Sequence, residues 1–212
     1  MKKLSVDNPF FEFMGRLGDV VMVNLLFLVC CVPVVTIGAS VFAMYQTFRE
    51  MEEKTFVSVF RSFRRAFASS LKKSIPAWMA CFLAGAVLVF DLLYIPRLGN
   101  GWFWHMAAMV IGSLMLLWLF VICWLFPLGL FKERGIWGSV VRSLFLAVGN
   151  LPYTVVMVLL NLVPAVCFLA SNYIMALVAP PYLVAGFGVT AFINAKLMKR
   201  CGERLTNSEK KI

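Results

Sequence analysis

The chain has 212 residues, of which 62% are hydrophobic and only 14% charged, with a net charge of +10. That balance, with a mean hydropathy of +0.88, leaves too little polar surface for a soluble fold. It points to one membrane domain over residues 1–212, made of spans and short connections, with no separate nucleotide-binding or periplasmic module. The positive charge sits beside apolar runs, which indicates lipid as its partner rather than nucleic acid.

No Lys, Arg, Asp or Glu occurs from Val20 to Phe48, from Gly101 to Phe131, or from Ser143 to Ala195, and Asp91 stands alone between Ser74 and Pro96. A helix crosses the hydrocarbon layer in about 20 residues. An all-α polytopic bundle follows, with five spans expected over residues 20–48, 75–95, 102–126, 151–170 and 174–195. The first interval, at about 1.5 Å per residue, is roughly 43 Å long against a core of roughly 30 Å. Either it tilts, or it breaks at Pro33 with its end on the cytoplasmic face. The last turn falls at Ser171-Asn172 or at Pro180-Pro181.

Residues 49–74, 128–150 and 196–212 together hold 16 of the 20 basic residues. Basic residues near membrane ends gather on the cytoplasmic side. The threading puts all three segments on that side, so a multi-pass protein of the plasma membrane is expected, with its C-terminus cytoplasmic and its N-terminus outside. Met1-Lys2-Lys3 precedes an apolar run as in a signal peptide. However, three acidic residues before Val20 and the overlong apolar stretch argue against cleavage.

Phe56, Phe60, Phe63, Phe67 and Leu71 recur at steps of three and four and predict an amphipathic cytoplasmic helix. Its cations, Arg61, Arg64 and Arg65 among them, offer three uses: anchoring at anionic headgroups, docking a cytoplasmic partner, or packing against the protein's own core. Arg142 is a candidate for the same lipid or partner docking. It lies in Ser139-Val140-Val141-Arg142-Ser143, which echoes Ser58-Val59-Phe60-Arg61-Ser62. Pro33 and Pro127 precede these segments and Pro76 and Pro152 follow them, so a parallel two-fold repeat with a closing fifth helix is expected.

Pro33 to Gly38 interrupts the first apolar stretch, since proline removes a backbone donor and clashes with the preceding turn. The hydroxyls of Thr36 and Ser40 are the nearest partners for the freed carbonyls. Pro127-Leu128-Gly129 takes the matching place in the second half. Paired interruptions mark ligand sites in transporters and also simple kinks, so Asn24, Pro33, Thr36, Gly38 and Pro127 are candidate ligand or hinge residues.

No nucleophile, acid/base pair or metal cluster is legible, and no cofactor is expected. The six cysteines form neither a disulfide framework nor a paired metal motif. His105, beside Trp102 and Trp104, fits an interfacial aromatic belt. Asp91 is the one intramembrane acid and a functional suspect for that reason, although snorkelling or pairing with Arg97 also accounts for it. Asn24, Asn161 and Asn194 suit hydrogen bonds between helices.

Leu17-Gly18-Asp19, Asn24-Leu25-Leu26-Phe27, Pro33-Val34-Val35-Thr36-Ile37-Gly38 and Ala43-Met44-Tyr45 together resemble the opening of the YesL-like family of bacterial membrane proteins. Phe60-Arg61-Ser62-Phe63-Arg64-Arg65-Ala66-Phe67 resembles that family's aromatic-basic segment, and Gly149-Asn150-Leu151-Pro152 is a weaker echo. Members of that family are typically encoded beside carbohydrate ABC importers, so the resemblance implies an accessory role in sugar uptake. It brings no catalytic or binding residues. The expected function is therefore a non-enzymatic accessory or regulatory subunit bound to an importer or another membrane complex. The alternative is a small autonomous transporter with a site between the two repeats, near Thr36 and Gly38.

Overall fold

The computed structural model describes residues 9–53, 58–98, 101–132, 135–170 and 180–209, and every regular element among them is helical. Seven helices follow in order: α1 (Pro9–Cys31), α2 (Ile37–Glu53), α3 (Val59–Leu98), α4 (Trp102–Leu128), α5 (Ile136–Gly149), α6 (Leu151–Ala170) and α7 (Phe187–Glu209). Single 3-10 turns at Val34–Thr36 and Leu130–Lys132 follow α1 and α4, and a π-helical turn at Tyr182–Gly186 leads into α7.

Among the described residues three stretches are long and apolar enough to cross a membrane: Met14–Cys31, Val59–Ile95 and Trp102–Leu128. Trp137–Gly149 and Leu151–Val163 qualify as a pair, bent by 105°. Among the described residues the count is thus three, or four with the bent pair; the fifth expected span, 174–195, lies partly outside them. The interval 20–48 is not one helix. It stops at Cys31, because the Pro33 ring cannot donate to the ladder, and restarts at Ile37. Of the interval 174–195, residues 174–179 lie outside the described residues, as does Ser171-Asn172. From Pro180 the chain is helical.

The amphipathic helix is also not a separate element. α3 runs for 40 residues, about 60 Å at 1.5 Å per residue, twice the hydrocarbon thickness of roughly 30 Å. Pro76 sits inside it without ending it. The later part of α3 pairs antiparallel with α4. Gly85 makes room for the Trp118 ring, whose Nε1 donates to the Cys81 carbonyl at 3.0 Å, and Trp78 meets Phe126 edge-on at 5.4 Å. The earlier part pairs antiparallel with α2, from Gly38 opposite Ser74 to Glu50 opposite Ser62 and Arg65. Its buried face, Val59, Ser62, Phe63, Ala66, Ser70 and Ser74, is mostly small, which lets the two backbones approach closely.

α7 runs beside α2. Phe192 packs edge-on against Phe48 at 5.6 Å, and Lys199 reaches Glu52 at 3.6 Å. The end of α4 meets the beginning of α2 through Phe42 and Phe131, 5.7 Å apart. The rest of α2, the first half of α3 and the second half of α7 therefore continue past α4 as a three-helix extension. The exposed cations Arg61, Arg64, Lys72, Lys73, Lys196 and Arg200 cluster on this extension. Burial draws the Arg49 guanidinium there below its ordinary value, and the Glu53 carboxylate opposes that shift.

The order of elements recurs. A long helix, a proline, a 3-10 turn, a Ser-Val-x-Arg-Ser pentapeptide and a proline-bearing apolar helical stretch follow in both halves, the last two within the single helix α3 in the first half and in α5 and α6 in the second. α2 is extra in the first half, which explains the unequal spacing. The first half passes straight through Pro76, whereas the second half turns sharply at Asn150.

Candidate functional site at the paired interruptions

The first interruption is satisfied from within. Thr36 Oγ1 donates to the Cys30 carbonyl at 2.6 Å and to the Pro33 carbonyl at 2.7 Å, and Ser40 Oγ donates to the Thr36 carbonyl at 3.0 Å. The Cys30 carbonyl is one that the end of α1 leaves open, while the Pro33 carbonyl also accepts the Thr36 N–H at 3.0 Å. The second interruption ends on Gly129 with φ of 66°, the left-handed conformation that caps helices and favours glycine.

The two interruptions meet. A Cβ on Gly38 would lie 2.7 Å from Phe126 Cε1 and 2.8 Å from Ser74 Oγ, and one on Gly129 would overlap the Phe42 ring. Phe131 closes the junction, 5.8 Å from Phe126. The glycines thus serve close packing of α2 on α3 and α4, and aromatic rings fill the place where a ligand between the repeats would sit. Ser74 Oγ and Trp78 Nε1, one turn apart on α3 at this junction, are buried without a hydrogen-bond partner.

Asn24 has a different role from a ligand. Its side chain is fully buried, at 0% exposure. Nδ2 donates to the carbonyls of Leu183 (2.6 Å) and Val184 (2.9 Å), while Oδ1 accepts from the Gly188 N–H at 2.8 Å. A π turn interrupts the regular ladder, and Asn24 supplies the missing partners from α1. Gly188 allows the approach, since a Cβ there would lie 3.0 Å from the Val20 carbonyl oxygen. Asn194 on α7 donates to Tyr45 Oη at 3.2 Å and to Asn161 Oδ1 at 3.3 Å, and Asn161 Nδ2 reaches Cys123 Sγ at 3.6 Å. All three amides bind helices to one another.

The remaining candidates are dispersed. Asp91 is half-buried near the far end of α3, and the Arg97 side chain lies outside the described residues. His105 is exposed at the start of α4 beside Trp102 and Phe103. Arg61, Arg64, Arg65 and Arg142 are all exposed. Arg65 holds Glu50 at 2.8 Å, and Ser62 Oγ donates to the same carboxylate at 2.6 Å. Of the aromatic stripe, Phe63 is consumed by the α2 contact at 2% exposure and Phe60 stays open at 51%; Phe56 lies outside the described residues. No group of three or more His, Cys, Asp or Glu among the described residues is placed to hold a metal ion.

Residues 20–92 match a family described as Protein of unknown function, DUF624. The matched stretch takes in Asn24, the Pro33 interruption, all of α2 and most of α3. The chain is similar to that family over these residues. No curated protein and no solved structure matches the chain.

Sequence reasoning named the residues of both interruptions, and the Thr36 and Ser40 hydroxyls that bond carbonyls beside the first. It missed the pairing of Trp124 Nε1 with Thr154 Oγ1 at 3.0 Å and the π turn. Neither leaves a periodic signal. Both arise from tertiary approach.

Proposed function

We propose that this protein is a non-enzymatic subunit of the plasma membrane that assists oligosaccharide uptake, docking on a carbohydrate ABC importer or a similar membrane complex through its basic extension. The observation that carries this reading is the three-helix extension itself. Arg61 and Arg64 are exposed on a helix whose opposite face is locked onto α2, next to an open Phe60. A cationic surface with one exposed aromatic residue, held on a packed support, suits recognition of an acidic protein surface. The resemblance of the opening residues to the YesL-like family supports the choice of importer. Basic extensions face the cytoplasm, which puts the C-terminus inside in this proposal; the beginning of α1 points the same way as the end of α2, so an outside N-terminus does not fit it.

The autonomous-transporter alternative is less well supported, because Phe126, Phe42 and Phe131 fill the space between the two interruptions. The test is purification from native membranes in mild detergent, with identification of the co-purifying proteins by mass spectrometry. A transport complex is expected to accompany the wild type. The triple substitution Arg61→Gln, Arg64→Gln and Arg65→Gln should weaken that association more at low salt than at high salt, as electrostatic attraction requires. Purification without any partner, combined with sugar flux in vesicles containing this protein alone, would refute the proposal.

A further inference from the structure

α5 sorts its side chains by size. Ser139, Ser143 and Ala147 are buried and face the end of α4, with Ser139 Oγ donating to the Leu130 carbonyl at 3.0 Å. On the opposite side Trp137, Val141, Phe145 and Val148 form a ridge at steps of four, four and three. Trp137 is 81% and Phe145 76% exposed. Arg142 lies about 100° round the helix from Val141, on the flank of this ridge. Nothing among the described residues covers the ridge.

The orientation of α5 is fixed by hydrogen bonds at its corner with α6. Asn150 N and Nδ2 both donate to the Leu146 carbonyl, at 3.2 and 3.1 Å. Thr154 Oγ1 bonds the Ala147 carbonyl at 3.0 Å and accepts from Trp124 at 3.0 Å. The carbonyls that a helix end leaves open are thereby capped, and the 105° bend is held from α4. Over its 14 residues α5 extends about 21 Å, of which that angle leaves only about 5 Å along the axis of α6. Beyond the corner, Leu151, Val155, Val156 and Leu159 continue the exposed apolar surface onto α6.

We propose that α5 lies flat in the boundary between headgroups and acyl chains, with the Trp137–Val141–Phe145–Val148 ridge directed into lipid and Arg142 toward the headgroups. The bilayer is the occupant that fits. α6 is an apolar 20-residue helix suited to crossing, so a helix at right angles to it runs in the membrane plane. The apolar surface is continuous across the corner, and a large-residue face with a cation at its flank is the pattern of interfacial helices. The proposal does not depend on the partner suggested above.

The experiment uses the full-length protein in phospholipid vesicles and compares it with Trp137→Phe, so that the difference emission belongs to Trp137. A nitroxide lipid labelled near the headgroup should remove roughly half or more of that emission, as expected for a depth of about 5–10 Å, with less loss from a label near the chain end and little from aqueous iodide. Phe145→Trp in the Trp137→Phe background should reproduce the pattern. Quenching by iodide alone would place the ridge in water. Strongest quenching by the deep label would make α5 part of a broken span. Protection from all quenchers would mean that a second copy or another protein covers it. Each of these three results overturns the proposal.

Discussion

Replacing Asn24 by Ala is the sharpest test of how α7 is held. The substitution removes one amide that serves three backbone groups: the Leu183 and Val184 carbonyls and the Gly188 N–H. A buried donor or acceptor left without a partner costs about 1–3 kcal/mol. The three losses do not simply add, because the Gly188 N–H is then free to bond the Val184 carbonyl and tighten the π turn toward an α turn. One carbonyl and the vacated side-chain volume remain uncompensated, so the expected destabilisation is roughly 2–4 kcal/mol. At about 2–4 °C per kcal/mol for a chain of this size, the melting midpoint in detergent should fall by roughly 4–16 °C. Tryptophan fluorescence or the fraction surviving size-exclusion after heating would read it. Asn24→Asp should be worse than Ala, because it sets a carboxylate against two carbonyl oxygens while keeping the bond from Gly188. A melting midpoint for Asn24→Ala within a degree of wild type, or an Asp variant better than Ala, would refute the clamp.

The junction gives two further predictions. Ser74→Ala removes a buried hydroxyl that has no partner and should raise stability by about 1 kcal/mol; a lower melting midpoint would mean that Ser74 has a partner, such as a ligand, at the junction. Gly129→Ala combines a left-handed backbone cost of about 1–2 kcal/mol with overlap against Phe42, for a total of roughly 2–4 kcal/mol. Phe42→Leu should recover part of this loss in a double-mutant cycle, and strict additivity of the two changes would show that they do not touch.

The parts of this fold that the sequence made legible are those governed by local rules. Charge-free intervals located the apolar stretches of α1, α3, α4 and α6, and Pro33 named the break between α1 and α2. The hydroxyl of Thr36 was expected to meet carbonyls beside the break, and it bonds those of Cys30 and Pro33. The amphipathic stripe was correctly seen as helical, but its boundary was not, because α3 continues through Pro76. The sequence left the use of the stripe open among three readings, and Phe63 takes that of packing against the protein's own core. Phe63 is buried in the core because α3 packs back along α2, and periodicity cannot tell a lipid-facing aromatic from one covered by a neighbouring helix. α5 was hidden for a related reason. Its residues are apolar enough to read as the approach to a span, and the turn at Asn150 depends on Trp124, far away in sequence. The π turn depends on Asn24, which is more distant still.

That π turn has a consequence for how the chain tolerates length changes. It accommodates one residue more than a regular helix needs, so shortening Tyr182–Gly186 by one position would let the ladder close while Ala191, Asn194, Ala195 and Met198 keep facing inward. The same excision in the regular part of α7 would swing everything after it by about 100° and turn the Lys196 side of the helix into the core. Loss of the surplus residue would also change the value of Asn24: with nothing left to bind, the amide would become a liability, and only then would a leucine in its place be an improvement.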